Sequence, residues 1–234
     1  MSQSQDDKKP FDPFELTAAI LLGLGAIAAS VAGHQNNLWG GQSVQAFSAS
    51  TAMTSSAAST FNFEQSTYDN DVAIERRVKE LIWESREVKD EDHANRNAGM
   101  ASWILISQLS PTAYKYLGMP EEVRKAYWDG DQAAALTPEQ LQAASINELH
   151  SDYVDELFAP SAAEFAEAEK RFEEGSDADA KGDEFSLAVV VFTVSLFFAG
   201  LSLVFKTKLR WGFLGLGAAV LAAGMGFMST LTWA

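Results

Sequence analysis

The chain has 234 residues, a formal charge of −15 and no cysteine. Without cysteine there is no disulfide, no thiolate nucleophile and no cysteine-ligated zinc or iron–sulfur centre. The acidic balance opposes nucleic acid and anionic lipid headgroups as partners.

Residues 1–13 read as a polar cytoplasmic tail that carries Lys8 and Lys9. Asp12 followed by Pro13 is a helix-start pattern, a capping carboxylate and then a proline at the first helical position. A first transmembrane helix is predicted over 14–33, where Leu16 to Gly33 carries no charge and approaches the ~20 apolar residues needed to cross a bilayer. Ser30-Val31-Ala32 resembles a signal-peptidase site, but the apolar run is long for a signal core, so the segment is expected to remain as an anchor. His34 and Trp39 then suit the membrane exit, and Gly40-Gly41 permits either a break or a continuing helix.

The block 34–184 is expected to form an acidic, helical extramembrane domain. It holds 28 of the 32 acidic residues and 12 of the 17 basic ones, a formal charge of −16. From Gln42 to Asp92 there is neither glycine nor proline, which predicts a long helix over about 42–92. Phe47, Phe61, Tyr68 and Ile82 fall on a seven-residue grid, with Val44, Thr51, Ala58, Gln65 and Val72 as companions, a broken heptad with a small-residue seam. Shorter helices are predicted over about 98–174. Ala98 to Leu109 reads as a buried core helix by default and an interfacial segment as the minority alternative. Pro120, Thr137 and Ser161 mark helix starts, the last two with capping-box patterns. Residues 175–182 read as an acidic linker.

A second transmembrane helix is predicted over 185–205 and a third over 211–232. The five residues between them, 206–210, contain Lys206, Lys208 and Arg210. Short basic loops stay cytoplasmic, so the N-terminus is expected inside and the acidic domain outside a bacterial inner membrane.

Small residues recur at four-residue spacing, as Gly25, Ala29 and Gly33 in the first span and Gly215, Ala219 and Ala223 in the third. In lipid such rows let helix backbones approach closely. They are read first as packing among this chain's own spans, with packing between copies as the alternative.

Motifs of chemistry are missing. His34, His93 and His150 fall in no ligand pattern, and Asp90-Glu91-Asp92-His93 reads as a solvated helix end ahead of a cation site. Asp129-Gly130-Asp131 does not continue into a calcium loop. No nucleophile elbow, phosphate loop or dinucleotide fingerprint occurs. The spans hold no ionisable group of the kind that pumps and voltage sensors use. No catalytic residue, cofactor or metal is therefore assigned.

Asn36-Asn37-Leu38, the small-residue run Ala46 to Ala58, the lead-in Asp183-Glu184-Phe185-Ser186-Leu187-Ala188 and the turn Lys206-Thr207-Lys208-Leu209-Arg210-Trp211 together resemble a bacterial family of three-span membrane proteins known as a domain of unknown function. The resemblance covers both ends, and Gly99 to Pro160 lies outside it. It implies architecture and supplies no activity.

The expected fold is an all-α integral membrane protein with three transmembrane helices. The leading functional expectation is a non-enzymatic, oligomeric scaffold or accessory subunit. Its partners would be membrane lipids and either itself or other membrane subunits, with no nucleic acid. A passive, cation-favouring channel of several copies is the alternative, motivated by the Ser/Thr-rich helix after the first span. An enzyme of unrecognised type is the third.

Overall fold

The computed structural model describes residues 12–131 and 133–234. The predicted tail, with Lys8 and Lys9, lies outside the described residues except for its last two. Seven helices follow in order: α1 (Pro13–Glu87), α2 (Glu91–Gln108), α3 (Pro111–Tyr116), α4 (Glu121–Trp128), α5 (Pro138–Ile146), α6 (Ser151–Val204) and α7 (Leu209–Met228). Among the described residues there is no strand. α1, α6 and α7 each contain a segment long and apolar enough to cross a membrane. The chain divides into two units, one of residues up to Ser50 with Glu169–Ala234, the other Thr51–Ala168.

The first unit packs α1, α6 and α7. α1 starts where the carboxylate of Asp12 accepts the Phe14 N–H at 2.9 Å. It continues through Gly40-Gly41 without a break. Its buried positions Ala18, Gly25, Ala32 and Trp39 recur every seven residues. That is the period of two helices wound on one seam. α6 runs antiparallel to it, with Phe185, Phe192 and Ala199 buried at the same period. The core gathers Ala32, Trp39, Phe185, Phe192 and Leu221.

Residues 175–182 are helical, which corrects the linker reading. A Cβ at Gly175 would lie 2.8 Å from the Phe47 ring, and one at Gly182 would lie 3.2 Å from Asn36 Oδ1. These glycines are spaces for a neighbouring helix. Their helix cost of about 1 kcal/mol each relative to alanine is offset by close packing.

The second unit has its own core. Val78, Leu81 and Ile82 of α1 meet Ala101, Ile104, Leu105 and Ile106 of α2, with Tyr114, Leu117 and Tyr153. The apolar stretch of α2 is thus a core helix, and each fully buried side chain of Leu105's size contributes about 1.5–3 kcal/mol. The long helix stops at Glu87. The carboxylate of Asp90 then accepts from the Asp92 and His93 N–H groups at 3.0 and 3.4 Å, so the Asp90–His93 run opens α2. Thr137 and Gln140 cap α5 reciprocally. Gly118 takes φ +74, and its N–H closes α3 on the Lys115 carbonyl.

Two further expectations change. Ser161 does not begin a helix but lies inside α6, one residue after Pro160. Proline disturbs the helical ladder there, and the Ser161 N–H donates instead to Glu64 Oε1 of α1 at 3.2 Å. The heptad also has a different register. In this unit α1 buries Ala57, Glu64, Asp71 and Val78, whereas Phe61 is 41% exposed. The facing row on α6 is small, Ser161 and Ala168. Backbones therefore approach until only short or hydrogen-bonded groups fit between them, and the large rings flank the seam. Phe61 meets Phe158 at 5.4 Å and Tyr68 meets Tyr153 at 6.3 Å between centroids.

Candidate functional site

The small-residue rows do different jobs. Gly25 faces α6, where a Cβ would come within 2.7 Å of Leu196 Cδ2, and Gly33 lies against Val189. Ala29 packs on the same core. The first-span row is thus internal to the unit. On α7 the buried row is Gly217, Leu221 and Gly224. A Cβ at Gly217 would lie 3.1 Å from the Ser195 carbonyl, and one at Gly224 would lie 2.8 Å from the Phe192 ring. Ser195 Oγ–H donates to the Gly217 carbonyl at 2.7 Å. Gly215, Ala219 and Ala223 lie on the opposite face, exposed. Gly212 and Gly226 extend that face, and no group stands within 4 Å of where a Cβ would be at Gly212, Gly215 or Gly226. One side of α7 is closed on α6, and the other is a smooth strip about four turns long.

The basic turn splits as well. The Arg210 guanidinium pairs with Asp12 at 3.3 Å and stacks 4.3 Å from the Phe14 ring centroid, while Phe14 meets Trp211 edge-on. Lys206 and Lys208 are exposed. At the other end of this unit the Trp39 indole N–H donates to the Thr232 carbonyl at 3.0 Å, Lys181 lies over its ring, and Gln35 accepts the Ala234 N–H. A tryptophan at each end of an apolar bundle, Trp211 at one and Trp39 at the other, is the pattern of interfacial belts.

The second unit carries the polar chemistry. Asp71 is fully buried, yet both its oxygens accept hydrogen bonds, from the Ser110 N–H at 2.9 Å and the Tyr153 O–H at 2.7 Å. Burial, and then the hydrogen bond to Asp71, push the Tyr153 phenol well up from its ordinary value. Burial also pushes Tyr114 up to about 12, against the opposing charge of Arg124. Its O–H donates to the Pro120 carbonyl. At the surface Glu156 accepts from Lys115 and from the Tyr116 O–H. Those bonds, Lys115 first, hold its carboxyl below the usual range. These bonds cap and fasten the helices of the second unit. Among the described residues no group of three or more His, Asp or Glu converges as a metal site would require.

Beside Asp71 a groove of about 480 Å³ opens between α1, the α2–α3 turn and α6. Phe63, Ser66 and Asn70 form its α1 wall, and Gln108 and Thr112 face them. Sequence reasoning missed it because its walls are some 40 to 90 residues apart and share no motif.

No protein-family model, no curated protein and no solved structure matches the chain.

Proposed function

We propose that the chain is a non-enzymatic, oligomeric membrane scaffold or accessory subunit that presents an acidic helical domain outside the membrane. The outward row Gly215, Ala219 and Ala223 on α7 supports this reading. A helix needs no glycine on a face turned to lipid, and each one there weakens the helix by up to about 1 kcal/mol relative to alanine. A smooth strip is what a second helix needs for close approach, since association in lipid depends on packing and weak hydrogen bonds. The short turn with Lys206 and Lys208 is cytoplasmic by the charge rule, and the block between the first and second spans is then outside. Lipids and further copies of the chain, or other membrane subunits, are the partners.

Native mass spectrometry in nanodiscs tests the reading. A closed oligomer is expected, and Gly215→Leu with Ala219→Leu should reduce it to monomers that keep native helicity. A wild-type protein that is monomeric and co-purifies with nothing would refute it.

A further inference from the structure

We propose that the groove beside Asp71 is a binding site for a neutral, hydroxyl-rich ligand, a short saccharide. Its volume of about 480 Å³ lies in the range of roughly 300–1,000 Å³ that small-molecule sites occupy. Its chemistry selects among ligands. The amides of Asn70 and Gln108 and the hydroxyls of Ser66 and Thr112 line it, and none of these four side chains has a hydrogen-bond partner among the described residues. Amides and hydroxyls each offer donors and acceptors together, the complement of a sugar's hydroxyls. Phe63 stands at the rim with 74% of its surface exposed, a free aromatic face for the apolar C–H side of a pyranose ring.

Charge removes the competing classes. No lysine or arginine lines the groove, and the unit carries 21 acidic residues against nine basic ones, so an anionic ligand is repelled. A cation would meet a single carboxylate, Asp71, whose two oxygens are already engaged. Those two bonds also fix the floor of the groove at Asp71 and Ser110.

The test is saturation-transfer NMR on the full chain in nanodiscs, with cellobiose, maltotriose and chitobiose as neutral probes and a galacturonate disaccharide as the anionic one. Transfer to the ring C–H protons of at least one neutral probe is expected, with none to the anionic probe. Phe63→Ala should weaken binding about tenfold or more, and Phe63→Trp should retain it. Asn70→Ala should weaken it as well. Because Phe63 is mostly exposed, its variants should melt like the wild type. No transfer to any neutral probe at about 10 mM, or transfer unchanged in Phe63→Ala, overturns the proposal. So does binding of a control tripeptide in the same groove without any saccharide.

Discussion

The Oγ–H of Ser195 on α6 reaches the main-chain carbonyl of Gly217 on α7, 2.7 Å away, in a place where neither residue meets solvent. The bond exists because Gly217 has no side chain to keep the helices apart. Ser195→Ala should lower the stability of the apolar unit by about 0.6–1.7 kcal/mol, from the average to the largest value seen for hydrogen bonds between helices in lipid. Gly217→Leu should cost more, because it separates the backbones as well. Reversible unfolding in mixed micelles measures both. An unchanged Gly217→Leu variant would show that α6 and α7 do not meet there.

Asp71 is the most exacting position of the second unit. Asp71→Ala leaves the Ser110 N–H and the Tyr153 hydroxyl buried without an acceptor and should cost about 3–5 kcal/mol. Tyr153→Phe removes one donor and should cost about 1–3 kcal/mol. The double variant should cost less than the sum of the two, and urea melts of the full set give the coupling.

The buried tyrosines set an alkaline limit. The Tyr114 phenol titrates near 10.0 when unfolded and at about 12 when folded, so the folded chain holds its proton more tightly. The stability this represents is complete below pH 10, is lost between pH 10 and about 12, and amounts to about 1–3 kcal/mol. Tyr153 is shifted the same way. Phenolate absorbance at high pH should therefore rise in two stages, the later one together with loss of helicity. In Tyr114→Phe the stability should fall less steeply above pH 10. An equal slope in both chains would remove Tyr114 from the account.

Gly175 is filled by a neighbour. Gly175→Ala drives a Cβ to 2.8 Å from the Phe47 ring and should destabilise by about 1–3 kcal/mol. Shortening the opposing ring with Phe47→Leu should recover part of that loss, a sign of steric conflict that a simple change of helix propensity would not give. Thermal melts of the two single variants and the double variant decide it.

How far the sequence carried these results depended on whether the signal was local. The three spans were legible because an apolar run of ~20 residues is a one-dimensional feature. The start of α5 at Thr137 was legible for the same reason, since its capping box needs only four consecutive residues. The seam register was not. Counting large residues pointed to Phe47 and Phe61, whereas the buried row holds Ala57, Glu64 and Asp71, because the facing residues on α6 are small. Gly175 to Gly182 had a linker's composition, and only the position of Phe47 and Asn36 reveals why glycine stands there. Gly215 and Gly217 are two residues apart and alike in type. Which of them faces α6 depends on how α7 is rotated, and composition does not record that.

A seam of alanine, serine and glycine has a further consequence. Where both faces are small, at Ala57 of α1 and at Ser161 and Ala168 of α6, one heptad resembles the next and a displaced pairing of the two helices would meet little steric resistance. In the second unit the two carboxylates remove that sameness. Glu64 has one address, the N–H beyond Pro160, and Asp71 has another, at Ser110 and Tyr153. They act as the teeth of a ratchet, expensive to bury and valuable because only one alignment gives each carboxylate its donor. The chain has no native cysteine, so this is simple to probe. Thr60→Cys with Glu164→Cys, at a pair in hydrogen-bond contact, should cross-link in one alignment. Adding Glu64→Ala and Asp71→Ala should lower the yield of that cross-link, because a shifted pairing separates the two thiols. An unchanged yield would locate the register elsewhere.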